Sequence, residues 1–140
     1  MTPEEINLPI RSHDEVMLLN KEDVIDQIYA EDFVNHSPGI PEDQRRGLDA
    51  VRAHNRYLHS AFGDIALVNE SPVIEGDMIG FRWVFSATHT GEFYGVPATG
   101  KRITIEGFDV MRIRNGKITD AWVYQDTAGL FIQLQMPADS

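Results

Sequence analysis

A chain of 140 residues that is 42% hydrophobic and 24% charged holds one globular domain with a substantial core, and has too little sequence for two. Its 22 acidic and 12 basic residues leave a net charge of −10, which repels phosphate backbones and anionic lipid and so excludes nucleic acid and membrane surfaces as expected partners. There is no cysteine, which removes disulfides, thiolate zinc sites and cysteine nucleophiles.

The N-terminus lacks the basic and apolar regions of a signal peptide, and no apolar run approaches membrane-spanning length, so a soluble cytoplasmic protein is expected. Two glycosylation sequons, Asn35-His-Ser37 and Asn69-Glu-Ser71, are read as chance. No internal repeat or linker divides residues 1–140, and a single domain is expected.

Ser12 and Asp14 can cap a short helix carrying Val16, Leu18 and Leu19. A second helix over residues 21–29 places Val24, Ile25 and Ile28 in one apolar stripe. Residues 35–39, Asn-His-Ser-Pro-Gly, are turn chemistry and read as a loop. Residues 47–62 form the strongest helix, with Leu48, Val51, Leu58, Ala61 and Phe62 on one face and Gly63 placed to cap its end.

From Ile65 the period becomes alternating. Residues 65–75 read as a strand, Gly76-Asp77 as a turn, and 78–90 as a strand with Ile79, Phe81, Trp83, Phe85, Ala87 and His89 on one face. Residues 91–100 form a loop. A long hairpin follows, 103–114 and 117–126, turning at Asn115-Gly116, because a type I′ turn needs positive φ at both central residues. On its second strand strict alternation puts Ile118, Asp120, Trp122, Tyr124 and Asp126 on one side. Residues 127–134 can close the chain as a short helix.

Helices followed by antiparallel strands predict an α+β fold, with N-terminal helices packed on a curved antiparallel sheet in a cone-shaped barrel and a pocket between the layers. Several segments carry a resemblance. The run from His89 to Arg102, the Asn-Gly-Lys-Ile turn, Trp122-x-x-x-Asp126 and the closing Gly129-Leu-Phe-Ile-Gln-Leu134 are similar to the SnoaL-like polyketide cyclases. That family belongs to the superfamily of nuclear transport factor 2 and ketosteroid isomerase. Residues 32–38 and Arg46-Gly47 match similar family segments, so the resemblance spans about residues 23–134.

The resemblance implies a cone-shaped fold, an intramolecular aldol ring closure without metal or organic cofactor, a homodimer through the outer face of the sheet, and an aspartate on the last strand that removes a proton next to a carbonyl. Asp126 matches that aspartate, and Asn35 matches an asparagine of the pocket rim. The chain departs from the family at Arg112, where the cyclases carry histidine, near Leu19, where they carry tyrosine, and at His54, where they carry asparagine.

Two readings of Asp126 follow. Beside Trp122 in an apolar pocket, burial would raise its pKa from ~4 and make it a base. Ahead of Thr127-Ala128 it could instead cap the terminal helix. The resemblance favours the base.

Asp109 interrupts the apolar face Ile103, Ile105, Gly107, Met111, Ile113, so it is perturbed by burial or paired, with Arg82 as the partner considered. The reading adopted is a structural ion pair. His54 is the best general acid or hydrogen-bond donor, His36 and His89 line the mouth, and His59 is an ordinary helix residue. His54 and His59 are five apart, which splays them, and no metal site is expected. Arg112 shares a face with Phe108 and Val110 and stabilises an enolate if that face borders the pocket. Residues 95–101 imitate part of a phosphate loop, but they contain a proline and lead into a strand, so no nucleotide site is expected.

The expected function is cofactor-independent acid/base chemistry, cyclisation or isomerisation next to a carbonyl, on a small hydrophobic polyketide-like molecule. Asp126, His54 and Arg112 are its candidate catalytic residues, and Asn35, His36, His89, Phe93, Phe108, Trp122 and Asp109 its candidate substrate contacts. A non-catalytic ligand-binding module and a hydrolase or dehydratase are the alternatives.

Overall fold

The computed structural model describes residues 1–135. Its N-terminal layer opens with α1 (Pro3–Ile6), fixed by a capping box in which Thr2 and Glu5 exchange side-chain-to-backbone bonds. α2 (Leu8–Arg11) runs directly into a π-helical segment, Ser12–Leu18, then α3 (Asp23–Ile28). The wider π turn faces Ser12, His13 and Val16 inward. α3 buries Val24, Ile25 and Ile28, the stripe its sequence prescribes.

Tyr29, expected to end a helix, and Asn35, expected to open a loop, are instead the two ends of a strand. This strand, β1 (Tyr29–Asn35), pairs in parallel with the last strand. α4 (Gly47–Ala61) lies across the sheet. Its final residue is followed not by a glycine cap but by Phe62 in extended conformation, which begins β2 (Phe62–Asn69). A three-residue β3 (Val73–Glu75) follows, then β4 (Met78–His89), β5 (Arg102–Arg114), β6 (Lys117–Gln125) and α5 (Thr127–Gln135).

The sheet runs β1-β6-β5-β4-β2, with β3 on β4. All pairs are antiparallel except β1 with β6, so the sheet is mixed at one edge. Asn115 and Gly116, at φ 52° and 73°, make the expected type I′ hairpin.

Inward-facing residues of β4 and β5 alternate as the sequence requires: Ile79, Phe81, Trp83, Phe85 and Ala87 against Ile103, Ile105, Met111 and Ile113 are all buried. With Ile25, Ile28, Phe33, Ala61 and Leu130 they form one core between sheet and helices. Among the described residues no helix is long and apolar enough to cross a membrane.

One irregularity changes the reading of the site. Ile113 pairs with Ile118 but Arg112 pairs with Asp120, so Thr119 is an extra residue in β6. The bulge reverses the alternation. Ile118 faces the core, whereas Asp120, Trp122 and Tyr124 stand opposite Arg112, Val110 and Phe108 on the outer face. The inner positions of β6 are Ala121 and Val123.

Candidate active site

Asp126 is not in the interior. Its amide continues the ladder to Glu106 O, its carbonyl accepts from Leu130, and its exposed carboxylate accepts the Gly129 amide at 2.9 Å. It is the N-cap of α5, and the structure corrects its placement as a pocket base beside Trp122.

The other residues singled out from the sequence separate into two groups. Trp122 stacks on His36 at 4.6 Å and 15°, with the Arg112 guanidinium 5.4 Å from its ring centre. His36 Nε2 lies 2.8 Å from Asp120, and Arg112 is paired with Asp77 at 3.5 Å and Asp120 at 3.6 Å. Burial opposes charge on Asp120, but hydrogen bonds from His36 and Thr119 and the nearby Arg112 outweigh it and hold its carboxyl below the usual range. This group belongs to the outer face, which takes His36 away from the mouth of a pocket beneath the helices, gives Arg112 the face that does not border it, and corrects Trp122 as a contact there, together with Phe108, which lies over Gly80 at 38% exposure.

Asn35 builds the backbone. Its Oδ1 accepts the Ser37 amide and hydroxyl, while Ser37 Oγ accepts the Val123 amide and so extends the β1–β6 junction. His89 is fully buried rather than at a mouth, with Nδ1 accepting the Thr99 amide at 3.2 Å. Phe93 is buried as a plug between Tyr57, Phe62 and Phe131.

Asp109 is where the chemistry gathers. It lies on the inner face of β5 at 3% exposure and pairs with His13, not Arg82, whose guanidinium is bound to Glu70 outside. His13 Nε2 lies 3.0 Å from Asp109 Oδ2, and the Trp83 indole donates to Asp109 Oδ1 at 2.8 Å. His13 Nδ1 lies 2.7 Å from Asn69 Oδ1.

The indole reaches Asp109 because residue 107 is glycine: a Cβ there would fall 2.0 Å from Trp83 Cζ2. Next to His13, the Ser12 hydroxyl is 2.6 Å from the Tyr29 hydroxyl. Burial, followed by the charge of Asp109, pushes the Tyr29 phenol up to about 12 against the pull of Ser12.

His54 approaches from α4. More than a third of its surface is accessible, yet surrounding protein lowers its pKa by desolvation and Asp109 pulls it back up. The field of Asp109 is what links His54 to the pair.

A concavity of about 650 Å³ borders Arg82, Val84, Thr104, Phe108 and Tyr124. No histidine lines it and its carboxylates are Glu70, Glu106 and the cap Asp126, so it offers no comparable acid/base pair.

The comparisons agree with this architecture. A family model for SnoaL-like polyketide cyclases matches residues 8–134. The chain belongs to the SnoaL-like polyketide cyclase family. It is 33% identical over 119 residues to the aklanonic acid methyl ester cyclase DnrD of Streptomyces peucetius, covering 83% of this chain and 80% of that one. The aklanonic acid methyl ester cyclase DauD of Streptomyces sp. (strain C5) is 31% identical over 120 residues, covering 84% and 73%. Among solved structures, TsrD from Streptomyces laurentii superposes with a TM-score of 0.84 at 24% identity, over 96% of this chain and 98% of that one. A SnoaL-like protein from Jannaschia sp. CCS1 gives 0.86 at 18%, over 98% and 97%. The fold is that of the SnoaL-like proteins, as expected.

Within this family member the residue that sequence reasoning missed is His13. It sits in a stretch where Ser12 and Asp14 read as caps, and the π turn breaks the 3.6-residue period. The available signal was the pairing demand of Asp109, an acid in an apolar strand face, which calls for a buried cation or donor.

Proposed function

We propose that this SnoaL-like protein performs cofactor-independent proton transfer next to a carbonyl, cyclisation or isomerisation, on a small hydrophobic polyketide-like molecule. The acid/base group in this reading is the buried His13–Asp109 pair in place of Asp126. The observation that carries it is the pair itself: a carboxylate and an imidazole 3.0 Å apart on the inner face, with the Trp83 indole as a third group fixing the carboxylate.

In this mechanism His13 and Asp109 separate as substrate enters, the Oδ2 so freed takes the α-proton while His13 keeps its own, and the C–H electrons pass to an enolate oxygen. His54, within the field of Asp109, donates a hydrogen bond to that oxygen. In a ring closure the enolate carbon then attacks a second carbonyl, and the new alkoxide receives a proton back from the pair. The Trp83 and Phe85 rings supply the apolar wall that keeps water from competing.

The names of DnrD and DauD motivate aklanonic acid methyl ester as the first probe. Asp109→Asn and His13→Gln should each lower kcat/KM on it by at least ~100-fold, the usual weight of a general acid or base. Full activity in both variants would remove the pair from the mechanism.

One observation favours a non-catalytic ligand-binding module instead. Both members of the pair are only 3% exposed, and both carboxylate oxygens already have partners. That reading requires tight ligand binding without turnover in the wild type and unchanged affinity in Asp109→Asn.

A further inference from the structure

The His13–Asp109 pair has a proton inventory that its neighbours determine. The Trp83 indole nitrogen only donates, so Asp109 Oδ1 must accept, and any proton on the carboxyl resides on Oδ2. Asn69 presents a carbonyl oxygen to His13 Nδ1, which must therefore carry hydrogen. Between Nε2 and Oδ2, at 3.0 Å, one proton remains: none would set two lone-pair carriers against each other, and two would clash. Whether that proton sits on nitrogen or oxygen, the pair is neutral overall.

From this geometry we propose that Asn69, at the end of β2, is the positioning residue that fixes the His13 tautomer, so that the exchangeable proton lies between His13 Nε2 and Asp109 and not on the far side of the ring. The inference rests on the acid/base reading above, because only an exchanging pair needs a fixed tautomer. The burial of the ring in the π turn supplies the rest of the orientation: Phe81 meets it edge-on at 5.0 Å and Trp83 at 6.4 Å.

Asn69 touches no substrate atom in this scheme. Its carbonyl keeps Nδ1–H occupied, so the ring cannot satisfy Asp109 by holding its single neutral-state hydrogen on Nε2. Without Asn69 that arrangement becomes the better one: Nε2–H donates to ionised Asp109, Nδ1 is bare, and the pair carries a negative charge. It then holds one proton fewer to hand on. The other titratable groups that sense Asp109 are Tyr29 from β1 and His54 from α4, and neither bonds to the His13 ring.

Nitrogen-15 NMR of the histidine side chains in the ligand-free protein tests this without any assay of turnover. In the wild type His13 Nδ1 should show the shift of a protonated nitrogen at neutral pH. Asn69→Leu should move the Nδ1-to-Nε2 tautomer ratio by roughly tenfold toward Nε2–H, the weight of one ordinary hydrogen bond. Asn69→Asp, which keeps an acceptor, should retain hydrogen on Nδ1 and protonate both nitrogens more fully.

A bare Nδ1 in the wild type overturns the proposal, and that spectrum decides it even if a variant fails to fold. Identical His13 shifts in the Leu variant and the wild type also overturn it. Because no substrate is present, loss of this inference is separate from loss of the catalytic reading, which stands or falls on Asp109→Asn and His13→Gln turnover.

Discussion

Tyr29 reports how thoroughly the interior around the pair is closed. Its hydroxyl is bonded to Ser12 alone, and burial ahead of every other cause lifts its pKa from 10.0 to about 12. A folded pKa above the unfolded one contributes stability that is complete below pH 10 and is lost as the pH rises through 12, because only the unfolded chain can ionise in that window. Two units correspond to roughly 3 kcal/mol at most. Urea unfolding at pH 9 and at pH 12 should show this loss in the wild type, and Tyr29→Phe should flatten the alkaline limb. His54 behaves oppositely. Its pKa is lowered, so the unfolded chain binds protons first as the pH falls below the ordinary histidine value, and stability declines through that range. His54→Gln should reduce this acid slope around pH 6 without affecting the alkaline one. At this scale the sequence was readable wherever a polar residue broke an apolar pattern. Asp109 stood out for that reason, whereas His13 lay among polar neighbours with no period to contradict.

The hairpin of β5 and β6 carries both the success and the failure of strand logic. Its turn follows from Asn115-Gly116, and the inward row of β5 follows from alternation. Thr119 then adds one residue, and every β6 side chain beyond it changes face, which sent Trp122 and Asp120 outward. No residue type announces such a bulge. β1 was illegible for a related reason: Tyr29–Asn35 is a sheet edge whose partner is the distant β6, so its conformation is decided by tertiary pairing and not by local preference. α5 shows the consequence for Asp126. That helix is tied at its start by the cap and farther on by Gln133, whose amide bonds both the Thr104 amide and carbonyl at 2.9 and 2.8 Å. Lys101 Nζ binds the Leu134 carbonyl at 3.0 Å. Asp126→Ala should therefore cost about 1 kcal/mol of stability, the usual loss of an N-cap. It should leave the turnover proposed above within about twofold, a change far smaller than a lost base produces. A large drop in turnover per folded molecule would return Asp126 to the mechanism.

Across the whole molecule the two faces of the sheet have different chemistry. The inner face is covered by helices, but the outer one leaves Val68 at 63%, Val73 at 71%, Phe108 at 38% and Tyr124 at 52% exposure. Val84, Val110 and half-buried Trp122 lie among them. An apolar sheet face of this kind is unfavourable in water, and we propose that a second copy covers it, in the homodimer that the family resemblance implies. A two-fold axis would place the same patch against itself. Each copy brings a net charge of −10, so the apolar gain is opposed by long-range repulsion that salt screens. Sedimentation at tens of micromolar should thus give a dimer that tightens as sodium chloride rises from about 20 to 300 mM, where the Debye length falls below 10 Å. Tyr124→Lys and Val68→Lys place charges at positions already exposed, so they should yield folded monomers with the His13–Asp109 pair intact. A wild-type monomer at every salt concentration would refute the assembly. A dimer that loosens with salt would instead assign its stability to ion pairs formed between the copies, because screening weakens charge pairing and leaves apolar contact untouched.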